Sequence, residues 1–231
     1  MYGADERTDD LCIVESRLAV EALLDSPYEP VSLLVAERLA DDPLVASFPG
    51  EVIVASQEVI NDTVGFNMHR GVVACARRGD ALSVDEVVDG ARSLVVTECV
   101  NDPENLGALF RNAAAFGVDG MLLDPTTCDA LSRRVIRVSM GHALRVPFAR
   151  GPIPRLPGFT TIALTSDGAT DIADVRADRF ALFVGNEGNG LSDDTLHAAD
   201  VRASIPMAKG VDSLNVATAA AVALALLSRR L

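Results

Sequence analysis

Three segments of this 231-residue chain carry side chains whose types and spacing could do chemistry. The first is PENLGALFRNAAAFG, residues 103–117. Pro103 suits a first helical turn and Gly117 a C-terminal stop. Leu106, Leu109, Phe110, Ala113 and Phe116 form an apolar stripe, and Gly107 and Arg111 lie four apart on another face. A helical side chain leans back over the preceding turn. Arg111 therefore passes over Gly107, where no Cβ blocks a ligand or a second chain. The plainer roles are a helix–helix contact for Gly107 and a solvated charge for Arg111. The second segment is LFVGNEGNGLS, residues 182–192, an apolar strand running into Gly185, Gly188 and Gly190. Such a loop lets backbone approach a ligand closely. It has neither a GK[ST] ending nor the GxGxxG order of a phosphate loop, and Glu187 in mid-loop would repel a phosphate. A ligand that is neutral or cationic at its centre fits better; a tight turn capped by Asn186 is the plainer alternative. The third segment, residues 205–227, ends a strand at Pro206 and opens an Ala-rich helix capped by Asp212 or Ser213. The free amides of its first turn point into the preceding loop, where Ser213 and Asn215 add a hydroxyl and an amide.

Alternating strands and helices must position these segments. Strands are expected at 94–97, 120–123, 161–165, 180–184 and 201–205, and helices at 103–116, 129–140 and 213–228. Apolar runs alternating with helices imply an α/β fold with a buried parallel sheet covered on both faces. Ahead of it, a helix at 15–24, an apolar run at 31–35, a helical stretch at 36–45, a run at 52–55 and a strand at 71–76 make a small αβ pattern. The expected domains are 1–78 and 93–231, joined by a polar, acidic linker at 79–92.

The balance of 33 acidic against 20 basic residues gives a net charge of −13. It excludes a basic nucleic-acid coat or a polybasic membrane binder as the global design. The charge is uneven. Residues 1–65 carry 14 acidic and 3 basic side chains, whereas residues 130–165 carry six arginines and no carboxylate. Arg133, Arg134 and Arg137 fall at i, i+1 and i+4 of an expected helix. Like charges side by side there cost a few tenths of a kcal/mol each unless phosphates neutralise them. With no acidic neighbour in the segment to compete, these three and Arg145 are expected to contact a phosphate backbone, a tolerated solvated face being the plainer alternative. Four dispersed cysteines and three histidines hold neither a CxxC nor a metal-ligand spacing, so no metal site or disulfide framework is expected. No apolar signal core follows the acidic N-terminus. The longest apolar stretch, 214–227, is short of the ~20 residues needed to span a bilayer. A soluble, cytoplasmic protein with no membrane partner is expected.

Taken together and in this order, NLGALFRNAAAFG, VGNEGNGLS and IPMAKGVDSLNVATAAA resemble the three motifs of the SpoU (TrmH-type) branch of the SPOUT RNA methyltransferases. The likeness covers roughly 94–227. Residues 1–78 more weakly resemble the small ribosomal-protein-like domain that many members carry ahead of it. Ala217 stands where members often have Ser. The resemblance implies a sheet threaded into a deep C-terminal trefoil knot, S-adenosylmethionine as cofactor, and a homodimer. The apolar face of helix 103–116 and the Ala-rich last helix supply candidate dimer surface. Carried over by motif, Asn105, Arg111, Glu187, Ser213 and Asn215 form the polar active-site set. Leu164, Thr165, Gly185, Asn186, Gly188, Ile205, Met207, Ser213, Leu214 and Asn215 hold the cofactor. A cationic sulfonium without phosphate suits a loop bearing Glu187.

The activity so implied is methyl transfer to a ribose 2′-OH of RNA. The family assigns the proton-accepting role to its motif-one arginine, here Arg111. A guanidinium with a pKa above 12 is a poor literal base. A phosphate clamp that also stabilises the developing alkoxide is the alternative role. Two other functions compete: a non-catalytic RNA-binding relative acting in ribosome assembly, disfavoured by the intact polar set, and a Rossmann nucleotide enzyme, disfavoured by the missing fingerprint. An N-terminal domain with no basic C-terminal extension favours rRNA over tRNA as substrate.

Overall fold

A strand that must be buried on both faces reads as a short, continuous apolar run, and SLVVTE, GMLL and FALFVG are such runs. In the computed structural model, which describes residues 10–64, 71–186 and 188–228, they lie side by side at the centre of a parallel sheet. In chain order the strands are β1 (Leu11–Glu15), β2 (Glu29–Ala36), β3 (Glu51–Ala55), β4 (Val72–Arg77), β5 (Ser93–Glu98), β6 (Gly120–Leu123), β7 (Phe148–Arg150), β8 (Thr160–Leu164), β9 (Thr170–Asp171), β10 (Phe180–Gly185) and β11 (Val201–Ser204). The α-helices are α1 (Arg17–Leu24), α2 (Pro43–Ala46), α3 (Gln57–Val64), α4 (Val84–Val88), α5 (Pro103–Ala115), α6 (Arg133–Val138), α7 (Asp193–Ala198) and α8 (Val216–Ser228).

The chain divides into two compact units. One comprises Ala81–Asp129 and Val146–Leu231. Among its described residues the sheet order is β7-β6-β5-β10-β8-β11-β9, and every pair is parallel. Parallel pairing brings all the carboxyl ends to one edge, so the turns after β5, β6, β8, β10 and β11 emerge together. Ligands of parallel sheets bind at that edge. Leu106, Leu109, Phe110 and Ala113 of α5 are fully buried, and so are Ala220, Ala223 and Leu224 of α8. Burying a Leu or Phe contributes about 1.5–3 kcal/mol, so this apolar stripe fixes α5 firmly. The stripe is thus consumed within the protomer and is no dimer surface, contrary to expectation. On and just ahead of α8, Val211, Leu214 and Val222 are the exposed large apolar side chains.

The other unit comprises Met1–Asp80 and Ala130–Arg145. Its sheet order is β1-β4-β2-β3, antiparallel except for the β2–β3 pair. The expected continuous block 93–231 is therefore interrupted, since 130–145 leaves it and joins the N-terminal unit. Arginines at i and i+4 of α6 share one helix face, and a buried carboxylate on β1 draws that face in. Glu15 is 5% exposed and pairs with Arg133 and with Arg137, the latter at 3.6 Å.

Several elements depart from expectation. Glu15 ends β1 instead of opening a helix, and Ser16 at φ 87° caps α1 through its hydroxyl, which accepts from Ala19 N. The stretch 36–45 is a 3-10 turn at Glu37–Leu39 followed by the single turn of α2. The expected linker 79–92 holds α4, closed by a capping box between Ser83 and Glu86. The last helix begins at Val216, capped by Asn215, whose Oδ1 accepts from Ala217 N at 3.0 Å and Thr218 N at 3.2 Å. Asp212 and Ser213 lie ahead of it in the loop.

Candidate active site

The turn after β10 is closed on itself. Asn186 Oδ1 accepts from Gly188 N at 2.7 Å and Asn189 N at 3.4 Å, and Gly190 N donates back to the Asn186 carbonyl at 2.8 Å. A Cβ on Gly185 would lie 2.3 Å from the Gly190 carbonyl carbon and oxygen, so only glycine lets the two backbones meet. Gly190 sits at φ 68°, the left-handed region that glycine enters without strain. The tight-turn reading of Asn186 therefore describes its geometry, and the turn it makes forms one wall of a cavity.

That cavity measures about 610 Å³ and opens at the carboxyl edge of the parallel sheet. Leu164, Thr165, Gly185, Asn186, Gly188, Ile205, Met207, Ser213 and Leu214 all line it. Nine of the ten expected cofactor residues, from three stretches of sequence, are thus brought to one space. The tenth, Asn215, caps α8 beside it. The wall also includes Ser166, Asp167, Asp193 and Leu196, which sequence reasoning missed because they fall between or beyond the motifs, and Leu191, an apolar residue within the second motif. Thr165 Oγ1 donates to Asp167 Oδ1 at 2.5 Å, and this bond holds the exposed carboxyl below its usual range. Among the described lining residues there is no Arg or Lys. A pocket of this size with apolar walls, carboxylates and no cation fits an uncharged or cationic ligand with polar ends. An anionic phosphate chain does not suit it.

The polar set is spread more widely. Asn105 is 8% exposed in the first turn of α5, and its Oδ1 accepts from Asn215 Nδ2 at 2.7 Å. Two turns further on, Asn112 Nδ2 donates to the Ala217 carbonyl at 2.7 Å. Two side-chain hydrogen bonds therefore tie α5 to the start of α8, beside the cavity residues Ser213 and Leu214. Ser213 reaches the cavity wall with its side chain exposed. Arg111 lies on the exposed side of α5, outside the lining, and makes no hydrogen bond or ion pair with the described residues. Glu187 lies outside the described residues. Glu98, also missed, ends β5 and receives Ser192 N at 3.0 Å and Thr195 Oγ1 at 2.6 Å, which anchors the far side of the glycine turn. Its signal in sequence was a carboxylate at a strand end.

The expected RNA stripe is corrected in its premise. Carboxylates do compete for these arginines, and they come from the other half of the sequence. Glu15 engages Arg133 and Arg137, and Asp25 receives Arg145 Nη2 at 3.3 Å. Arg134 is exposed. Among the described residues no cluster of metal-ligating side chains is present, and no helix is long and apolar enough to cross a membrane.

Residues 92–225 match the model of the SpoU rRNA methylase family. This chain belongs to that family. It is an RNA methyltransferase of the SpoU type, and the matched span contains the whole cavity. Uncharacterised tRNA/rRNA methyltransferases of Mycobacterium bovis and Mycobacterium tuberculosis are 44% identical over 229 residues, which is 92% of this chain and 79% of theirs. The AdoMet-bound rRNA methyltransferase of Sinorhizobium meliloti superposes with a TM-score of 0.83 at 25% identity, covering 95% of this chain and 87% of that one. The SpoU methyltransferase AviRb of Streptomyces viridochromogenes, solved with AdoMet, shares the fold with a TM-score of 0.87 at 24% identity, over 99% and 94% of the two chains.

Proposed function

We propose that this protein transfers a methyl group from S-adenosylmethionine to a ribose 2′-OH of RNA, with rRNA as the favoured substrate. The observation that carries the reading is the cavity. The second and third motif segments meet there with residues 164–167, Asp167 and Asp193 face it, and among the described lining residues no cationic side chain opposes a sulfonium. Leu164, Ile205, Met207 and Leu214 supply apolar wall for an adenine ring, and the backbone around Gly185 allows close approach. The cofactor, when bound, supplies an electrophilic methyl on a cationic sulfur.

The chain's own residues do the rest. Asn105 and Asn215 hold the openings of α5 and α8 in fixed register, which orients whatever enters between them. The Ser213 hydroxyl serves the reacting ribose, and the motif assigns Glu187 to the same polar set. Arg111 has no internal partner among the described residues, so its planar fork is available to a backbone phosphate. From there it stabilises charge on the attacking oxygen, and a literal proton-accepting role is not required of it. Arg134 adds a phosphate contact from the N-terminal unit, which serves as the RNA-docking domain. The deep trefoil knot and the homodimer belong to the same proposal. The parallel order β5-β10-β8-β11 and the turns crowded at its carboxyl edge support the knot. The exposed Val211 and Val222 support pairing of two copies.

The test has two parts. Isothermal titration should show micromolar S-adenosylmethionine and no NAD binding. Incubation with rRNA lacking its modifications should place a 2′-O-methyl on a single nucleotide. Tight NAD binding without S-adenosylmethionine binding would reverse the assignment, and methylation of tRNA alone would move the substrate.

A further inference from the structure

A second set of side chains, none of them lining the cavity, controls the turn that does. Cys99 follows β5 directly and holds φ 58°, a left-handed conformation that a side chain enters only at a cost. Two hydrogen bonds hold it there. Its N–H donates to Asp124 Oδ1 at 3.0 Å, and its carbonyl accepts from Asn186 Nδ2 at 3.0 Å. Asn186 is the residue whose Oδ1 closes the glycine turn. An unbroken path of hydrogen bonds therefore runs from Asp124, at the end of β6, through the Cys99 peptide to Gly188.

Asp124 is itself tightly fixed. Its Oδ1 also accepts from Thr127 N at 2.9 Å and Thr127 Oγ1 at 2.5 Å, and its Oδ2 from Thr126 N and the Thr126 hydroxyl. The Thr127 hydroxyl is fully buried. It stands 3.1 Å from Thr97 Oγ1 and accepts from Val100 N at 3.3 Å, so the chain on both sides of Cys99 is held. Burial raises the Asp124 carboxyl, but the donors from Thr126, Thr127 and Cys99 outweigh it and keep the group below its usual range. A charged acceptor at this point makes stronger bonds than a neutral one.

We infer that Asp124 is a positioning residue for the cofactor turn, acting through the left-handed Cys99 peptide and Asn186. The inference rests on the proposal that the cavity holds S-adenosylmethionine. Without the Asp124 carboxylate, Cys99 relaxes toward ordinary φ, its carbonyl turns away from Asn186, and Gly188 loses its anchor. The cofactor site is then present but loose.

The experiment is titration of the full-length protein with S-adenosylmethionine, alongside filter binding of RNA. Asp124→Ala should weaken cofactor affinity about tenfold, the scale of one strained backbone position, and leave RNA affinity unchanged. Asp124→Asn keeps an acceptor oxygen and should stay within about threefold of wild type. Glycine takes φ near 58° without strain, so adding Cys99→Gly to Asp124→Ala should recover most of the loss, although it restores none of the Asp124 bonds. A merely structural Asp124 would not be rescued in this way. Cys99→Val leaves Asp124 in place and should mimic Asp124→Ala, because a β-branched residue resists positive φ; it also decides the matter if Asp124→Ala does not fold. Wild-type affinity in Cys99→Val, or in folded Asp124→Ala, overturns the inference while leaving the cavity assignment intact. A wild-type protein that does not bind S-adenosylmethionine removes both.

Discussion

Two arginine-bearing helices, α6 in the N-terminal unit and α5 in the C-terminal one, put the same side chain to opposite uses. On α6, Arg133 and Arg137 close around the buried carboxylate of Glu15. On α5, Arg111 is exposed and has no partner among the described residues, while Asn105 in the first turn and Asn112 near the end are bonded to the cap and first turn of α8. The denser cluster of positive charge is thus the more occupied one. A guanidinium spent on an internal carboxylate locks an element in place; one left without a carboxylate can receive a phosphate. Crowding of arginines along a sequence says little about which case applies, because the neutralising carboxylate can arrive from any distance along the chain.

The largest expected effect separates the two helices directly. Arg111→Ala should lower methyl transfer by about 10²–10³, the range for removing one donor aimed at developing charge. It should leave stability within about 0.5 kcal/mol, as for other exposed substitutions. Arg111→Lys should also fail, because an ammonium lacks the planar fork. A lysine variant with near wild-type turnover would break the clamp assignment.

On α6 the order of effects should invert. Glu15→Ala should cost about 2 kcal/mol in urea unfolding, less than the ~3–5 kcal/mol of a fully buried pair, because both arginines are more than a third exposed. Cofactor affinity should not change. A variant as stable as wild type would show that the ion pair does not hold α6 to its unit.

Between these lies the amide pair beside the cavity. Asn215→Ala removes the α8 cap and should destabilise by about 1 kcal/mol. It should also weaken cofactor binding, since Ser213 and Leu214 at the cavity wall precede that cap. Loss of stability without loss of affinity would make Asn215 a cap alone.

A finer test stays within α6. Arg134→Ala should flatten the slope of log RNA affinity against log salt by about 0.7–0.9, one phosphate contact. Arg133→Ala should lower stability instead and leave the slope nearly intact. Equal slopes for wild type and the Arg134 variant would place RNA on another face.

The smallest effect concerns a carboxylate bonded to amides instead of arginines. Asp119 Oδ2 accepts from Arg92 N, Ser93 N and Ser93 Oγ at 2.8–2.9 Å and secures the start of β5. Burial raises its carboxyl, yet these donors outweigh burial and hold it below the usual range. The folded value lies under the unfolded value of about 3.9, so the stabilisation is complete above that pH and is lost as pH falls through the folded value. Asp119→Asn should lower stability modestly at pH 7 and blunt the further loss in acid below about pH 4. An unchanged acid profile would assign that loss to other carboxylates.

The strand runs at 94–97, 120–123 and 180–184 were legible because a buried parallel strand admits few polar residues, so composition alone marks it. The three motif segments were legible as well, and with the second and third of them most of the cavity wall, since those two couple a strand end to a turn of unusual glycine or helix-opening chemistry. What only the tertiary structure decided is which distant groups meet. Glu15 reads in sequence as the first residue of an amphipathic helix and instead ends β1, where it captures arginines more than a hundred positions away. Asp124 and Cys99 carry no motif, because hydrogen bonds to a backbone amide or carbonyl leave no pattern in residue type. Local sequence fixes the period and ends of each element. The pairing of a carboxylate with one donor over another depends on which elements are packed together, and that is settled only when the chain has folded.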